Sequence, residues 1–338
     1  MKKYILSIAT LAALAAAASS CRQETAAVSE KAQKVEITVC AAASDITTAK
    51  SEEGTAAERA VGSATFFVFN ADGTLDASQT VSASSTTMTV TEGSGKSVYA
   101  VVNPKEDLSA SCSTAAALEA MSDASLTAEG GTDAFTMSGK VSNVDISRTA
   151  NSVGVPVERM AAKISIDKIT NNLNSSIGSL TIKRIFLANV AGSAYWFDDA
   201  PTGVWMHKAG KGLTELEWMC SGGIDATVAG GQSYSTPHVF YCYPNSTVTD
   251  SEEAIWCPRH TRLVVETVIG GETYFYPISL NAFVSGGEIQ RNTLYDIQEL
   301  TIKHLGSGDP DHNVSTGQVS FSVSVKDWDT VELGRVEI

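Results

Sequence analysis

The sequence is poor in positive charge and in charged residues overall. Of its 338 residues, 24 are Lys or Arg and 38 are Asp or Glu, which gives a formal net charge of −14. A protein that binds nucleic acid needs a basic face, so this balance argues against such a partner. Hydrophobic residues make up 43% of the chain and charged residues 18%. A chain this apolar is not a disordered acidic tail, and a packed core is expected.

Motifs for catalysis and for metal binding are also missing. The sequence has no G-x-S-x-G, no H-E-x-x-H and no Gly-rich phosphate loop, and its five His are scattered. No C-x-x-C pair suggests a zinc site. Asp309 and Asp311 begin like a calcium-binding loop, but the Gly and the distant Glu that complete such a loop are absent. We therefore predict a protein that is not an enzyme and binds no metal or cofactor.

The first twenty residues predict a secretory signal peptide. Lys2 and Lys3 precede an uncharged, largely apolar run at residues 4–18, which is too short to cross a bilayer. The sequence Ala-Ser-Ser-Cys that ends at Cys21 resembles the lipobox of bacterial lipoproteins, in which the Cys is acylated. Ordinary secretion with an incidental Cys is the alternative. Because the exported chain is strongly acidic, its attachment to the outer membrane would have to come from the lipid.

Cysteine usage leaves the redox state open. Besides Cys21, the chain has an odd number of cysteines for an oxidising compartment. These are Cys40, Cys112, Cys220, Cys242 and Cys257. The most plausible bridge joins Cys242 to Cys257, and free buried thiols are the alternative.

The periodicity of apolar residues predicts strands along most of the chain. After a polar tether at residues 21–34, Val35, Ile37 and Val39 alternate with polar residues and predict a strand at 35–40. Residues 41–59 have no apolar period and predict an exposed loop, which contains Lys50 and Arg59. Further strands are predicted at 64–70, 86–91, 97–102, 155–169 and 180–190, and a short helix at 113–121.

The C-terminal part continues this pattern. A hairpin is predicted from strands 263–269 and 273–278, which meet across Gly270 and Gly271. Residues 319–326 alternate apolar and polar without a break. The next residues, 329–338, keep strand patterning through Val331, Leu333, Val336 and Ile338, which is typical of an edge that pairs with another strand.

Several segments together resemble the FimA-like fimbrillins, the type V pilins of Bacteroidales. The lipoprotein signal, FFVFN with its Asp-Gly turn, VERMAAKISID, YFYPISLN, IQRNTLYDIQELTI and VSFSVSVKDW occur in the family's order. The resemblance implies an all-β chain of two transthyretin-like Greek-key β-sandwich domains in tandem, with the short helix in the first. We place these domains at residues 35–157 and 158–338, after a signal peptide at 1–20.

The resemblance also implies a function, namely a fimbrial subunit that supports cell adhesion. A surface protease specific for Arg or Lys would cut after Lys50 or Arg59 and release strand 35–40 with its lipid. The tail at 329–338 of another copy or of a related subunit would then fill the vacated groove. A lipoprotein that does not polymerise, such as an anchor, a tip or a module that binds a glycan or host protein, is the alternative.

Overall fold

The computed structural model describes most of the chain. The described residues are 33–43, 55–105, 108, 112–121, 134–149, 151–214, 216, 219–250, 259–283, 286–313 and 319–327. Nearly all of their regular structure is β-strand, so the predicted all-β class is confirmed. A short helix, α1 (Ala115–Glu119), lies where the sequence predicted one, and the Thr114 side chain caps it by accepting a bond from the Ala117 amide. No helix among the described residues is both long and apolar enough to cross a membrane.

Seven strands form the first sheet, in the order β3-β2-β5-β6-β7-β1-β4. Their bounds are β1 (Lys34–Ala43), β2 (Ala64–Phe69), β3 (Leu75–Val81), β4 (Ser85–Thr91), β5 (Gly93–Val102), β6 (Met137–Ile146) and β7 (Asn151–Arg159). Strands β1 and β7 are parallel, and the other neighbours pair antiparallel. The first strand of the described chain, β1, is therefore an interior strand of the sheet.

Strand β2 is buried on both faces, which explains its unbroken apolar sequence. Phe66 and Val68 join the core that β1 also enters. Phe67 and Phe69 point the other way, into a second core that includes Ile164 and other residues of the C-terminal half. Neighbouring strand residues face opposite sides of a sheet, so this one strand belongs to two cores.

The remaining strands form two larger sheets and a small pair. Their bounds are β8 (Ala162–Ile166), β9 (Ile169–Asn171), β10 (Leu180–Ala188), β11 (Val190–Ala191), β12 (Trp205–Met206), β13 (Cys220–Ser221), β14 (Ala226–Val228), β15 (Ser233–Tyr234), β16 (His238–Cys242), β17 (Arg262–Ile269), β18 (Glu272–Ser279), β19 (Thr293–Ile302) and β20 (Val319–Asp327). One sheet has the order β13-β10-β17-β18, with β14 also on β10. The other has the order β15-β9-β19-β8-β16, with β20 also on β19, and β11 pairs with β12.

The predicted hairpin is confirmed as β17 and β18. Gly270 and Gly271 both have positive φ angles, 62° and 91°, which tight hairpin turns require. The domain boundary at Val157 stays a prediction. β7 runs through that residue to Arg159, and β8 begins three residues later at Ala162.

Candidate functional site

The candidate functional site is centred on strand β1 and the two strands that pair with it. It pairs antiparallel with β4, from Lys34 opposite Thr91 to Cys40 opposite Ser85. On its other side it pairs parallel with β7, from Ile37 beside Asn151 to Ala43 beside Val157. The side chains of Ile37, Val39 and Ala41 are no more than 1% exposed, and Val35 packs partly buried against the same core.

β1 is also the strand that connects β4 and β7. Among the described residues, β4 pairs with no other strand, and β7 otherwise pairs with β6 only at Arg159 and Glu158. The loss of β1 would therefore leave a long groove with unpaired backbone groups on both walls, which are costly to bury without partners. The apolar side chains that share the core with Ile37 and Val39 include Phe66, Val68, Met88, Val90, Val153 and Val155.

A buried carboxylate holds the beginning of β1. Asp76 on β3 contacts Lys34 Nζ of β1 and Lys96 Nζ of β5, each at 3.1 Å. Its two oxygens also accept bonds from the amide and the hydroxyl of Thr91. Burial alone would raise the pKa of Asp76, but the bonds from Thr91 and the lysines outweigh it and lower this pKa to about 2. This group was not identified from the sequence, because β3 has no apolar period.

Glu58 anchors the turn at residues 55–60, which precedes β2. This residue is 2% exposed, and its Oε1 atom accepts a bond of 2.6 Å from the hydroxyl of Tyr241 and lies 2.9 Å from Lys163 Nζ. Burial opposes its charge, yet the bonds from Tyr241 and Lys163 keep the pKa of Glu58 below its usual value. Both partners belong to the C-terminal half, on β16 and β8.

The same turn holds Arg59, one of the two predicted cleavage residues. The Thr55 hydroxyl accepts from the Glu58 amide, and Glu58 Oε2 accepts from the Thr55 amide at 2.7 Å, which is a capping box. The Arg59 amide donates to the Thr55 carbonyl, and the Ala60 amide donates to the Ala57 carbonyl. Arg59 is half-buried, and the bond that follows it lies inside this closed turn.

Several predicted site residues lie outside the described residues. They are Cys21, Lys50, Val331, Leu333, Val336, Ile338 and Cys257. The strand that leads to the tail is β20, which pairs antiparallel with β19 and ends at Asp327 opposite Thr293. Cys242 is a free, fully buried thiol, and burial raises its pKa to about 12. Because Cys257 lies outside the described residues, the bridge from Cys242 to Cys257 stays a prediction.

Other acidic side chains and loops have structural partners. Asp311 is buried and binds Arg259, Arg262 Nη1 at 3.2 Å and Asn189 Nδ2 at 2.8 Å. Arg291 fixes the loop that contains the adjacent acids 198 and 199, bonding to the Asp199 carboxylate and to the carbonyls of residues 195, 196 and 198. No group of His, Cys, Asp or Glu in the described part of the chain is arranged to hold a metal ion.

Comparison with known proteins identifies the relatives of this fold. Residues 33–184 match the family model described as major fimbrial subunit protein, FimA. No curated protein sequence matches the chain. The matched region contains β1, the anchored turn and the whole first sheet, so the resemblance to FimA-like fimbrillins is confirmed.

Solved structures share the fold over most of the chain. A protein of Bacteroides eggerthii DSM 20697, described as a candidate cell adhesion protein, has a TM-score of 0.63 at 18% identity and covers 88% of this chain and 96% of its own. A fimbrilin from Porphyromonas gingivalis W83 has a TM-score of 0.58 at 14% identity and covers 87% and 97%. The tip fimbrial protein Mfa3 of Porphyromonas gingivalis, truncated at its C-terminus, has 0.52 at 14% and covers 88% and 100%.

Proposed function

The chain resembles the FimA-like fimbrillins in sequence at residues 33–184 and in fold along most of its length. On this basis we propose that the protein is a fimbrial subunit that polymerises by donor-strand exchange. The comparisons themselves support a fimbrial or cell-adhesion role at the cell surface, in association with other fimbrial subunits. The observation that supports donor-strand exchange is the position of β1. It is an interior strand of its sheet and the first strand of the described chain, and residues 44–63 separate it in sequence from β2.

While β1 is in place, the subunit is closed. Ile37 and Val39 fill the core, and each such side chain contributes roughly 1.5–3 kcal/mol when buried. Once β1 leaves with its lipid on Cys21, the groove between β4 and β7 offers apolar pockets and free backbone groups. Another strand can restore both by β-augmentation.

A cut in the loop between β1 and β2 triggers this release. Proteases bind their substrates in extended form, and the turn around Arg59 is closed by Thr55 and anchored by the buried Glu58. Cleavage after Arg59 would also remove Glu58 from its contacts with Tyr241 and Lys163. These contacts favour Lys50 over Arg59 as the processing residue for a surface protease specific for Arg or Lys.

The donor is the tail, residues 329–338, of another copy or a related subunit. A contact between one subunit's tail and the next subunit's groove is heterologous and does not close on itself, so its repetition generates a filament. The precursor is exported and held at the outer membrane by lipid, and the processed subunit becomes part of a cell-surface fimbria. Adhesion to a host protein or glycan would be a property of the assembled fimbria.

Deletion of residues 329–338 tests this function. We expect the truncated protein, after trypsin treatment, to form no filaments in electron micrographs while its Tm stays close to that of the full chain. A shorter deletion of residues 336–338 should weaken the filaments without abolishing them.

Filaments from the truncated protein would refute donation by the tail. A large fall in Tm would place the tail in its own subunit's core, and a mature protein that keeps acylated Cys21 would indicate an anchor or a stand-alone binding module.

A further inference from the structure

The apolar residues of the tail are out of phase with one another. Val331 and Leu333 follow one alternation, and Val336 and Ile338 follow the opposite one, with Gly334 between the two pairs. The inward residues of β1, in contrast, form a single unbroken alternation from Val35 to Ala41. A straight tail, meaning a regular strand without a bulge, could therefore direct only one of its two apolar pairs into the groove.

Each straight alignment on β1 has a specific defect. If Val331 takes the position of Val35, Arg335 falls at Val39 and Glu337 at Ala41, which are 0% and 1% exposed. A charge buried there without a partner is strongly unfavourable.

Two other alignments without a bulge waste apolar residues of the tail or place unsuitable residues in the core. If Val336 takes the position of Val35, the four residues Arg-Val-Glu-Ile at 335–338 copy Lys-Val-Glu-Ile at 34–37, but Val331 and Leu333 then fall before the beginning of β1 and fill none of its inward positions. If Val336 instead takes the position of Val39, Gly334 falls at Ile37 and Glu332 at Val35. Empty positions in a packed core cost free energy in proportion to the cavity.

A β-bulge, which accommodates one extra residue in the tail strand, removes all of these defects. We infer that the tail of one copy occupies the place of β1 in a second copy with a β-bulge at Gly334. Val331, Leu333, Val336 and Ile338 then occupy the four inward positions of β1: Val35, Ile37, Val39 and Ala41. A bulge sets two residues of one strand opposite one residue of its antiparallel partner, and its first residue is often a Gly in the left-handed conformation. Gly334 and Arg335 would together face Thr87 of β4, the residue opposite Thr38 of β1.

The outward side of the groove accepts the charges that this register places there. Glu332 would lie opposite Thr89 and Glu337 opposite Ser85, the partners of Glu36 and Cys40 in β1. Glu36 is exposed at the corresponding position of β1, so a carboxylate is already accommodated there. The neighbours on β4 are small hydroxyl residues, which accept a charge of either sign.

Cysteine crosslinking between copies tests the register, which rests on the proposed function. Residues directly opposite in antiparallel strands are close enough for a disulfide. After processing and assembly, we expect T89C/E332C and S85C/E337C to give ladders of covalent oligomers on non-reducing gels. The matched variant T89C/E337C should give none. The reverse result, a ladder from T89C/E337C and none from T89C/E332C, would overturn the bulge in favour of the straight register that copies residues 34–37.

Two substitutions at the bulge supply a second readout. Deletion of Gly334 gives the tail one unbroken alternation, so filaments should form and T89C should still crosslink to E332C. Gly334→Val places a β-branched residue where a positive φ is needed, and filaments should be fewer and melt at a lower temperature. Filaments of Gly334→Val with unchanged stability would contradict the bulge. If filaments form but neither T89C/E332C nor S85C/E337C crosslinks, the proposed register is wrong while strand donation by the tail stands. Filaments formed by the protein that lacks residues 329–338 would instead refute strand donation by the tail.

Discussion

The guanidinium of Arg159 donates a hydrogen bond of 2.9 Å from Nη1 to Oδ1 of Asn292. Arg159 belongs to VERMAAKISID and Asn292 to IQRNTLYDIQELTI, two of the segments that indicated the family. The Nε atom of Arg159 also donates to the carbonyl of Glu58, and the amide of Asn292 donates to the carbonyl of Ala161. Segments far apart in sequence thus meet at a single junction, next to the turn at residues 55–60.

The first prediction concerns Glu58. Glu58→Gln should lower the free energy of unfolding by about 1–3 kcal/mol, because it removes the charge that contacts Lys163 inside the protein. Arg59→Ala changes the neighbouring half-buried residue and should alter stability much less. Urea denaturation of both variants measures the difference. Equal stability of Glu58→Gln and the wild type would mean that the turn is not anchored by this carboxylate.

The second prediction separates the two cleavage residues. Lys50→Ala alone should leave a folded, lipidated precursor that forms no fimbriae, whereas Arg59→Ala should be processed normally, because the closed turn protects the bond after Arg59. Mass spectrometry of the mature protein and electron microscopy of the cells measure both outcomes. Normal fimbriae on the Lys50→Ala strain, and their loss on the Arg59→Ala strain, would assign the cut to Arg59. Normal fimbriae on the double variant would refute processing at either residue.

The third prediction concerns the packing of β1. Ile37→Asp should destabilise the precursor by about 3 kcal/mol or more, since it empties an apolar site and places a carboxylate there. Glu36→Ala, on the exposed side of the same strand, is the control and should change the Tm little. Thermal melting of the unprocessed protein tests this pair. An unchanged Tm for Ile37→Asp would mean that β1 is not a core strand in solution.

The sequence predicted those elements whose own side chains alternate or form apolar runs. β1, β2, β17, β18 and β20 all belong to this group. β3 and β6 could not be predicted, because LDASQTV and MSGKVSNVDI carry few inward apolar residues and depend on pairing with their neighbours.

Residues that act through distant partners were also missed. Glu58 and Tyr241 are 183 positions apart, and no local pattern links them. Thr55 and Glu58 form a capping box, which is visible in sequence, but it sits in a turn without a following apolar run. The pairing of Asp76 with Lys34 and Lys96 likewise requires the sheet order, in which the first strand lies between the fourth and the seventh.

The fourth prediction is a pH dependence caused by Asp76. Its pKa is about 2 in the folded protein and ordinary in the unfolded chain, so the stability it provides is complete above about pH 4. This contribution, about 2 kcal/mol, is lost as the pH falls from about 4 to about 2. Asp76→Asn should be less stable at neutral pH and should lack this part of the acid transition. Urea midpoints between pH 7 and pH 2 measure the effect, and parallel curves for both proteins would contradict it.

If the chain polymerises as proposed, the double burial of β2 has a mechanical consequence for the filament. Phe66 and Val68 on one face, and Phe67 and Phe69 on the other, tie the first sheet to the core it shares with the C-terminal half. A subunit pulled at its two ends therefore has no soft hinge between its halves at this strand, because bending there would open two packed interiors at once. When flow or traction pulls on the filament, the joints between successive subunits therefore deform before the body of each subunit does. A shaft of such units would behave as a chain of stiff rods whose elasticity resides in its linkages.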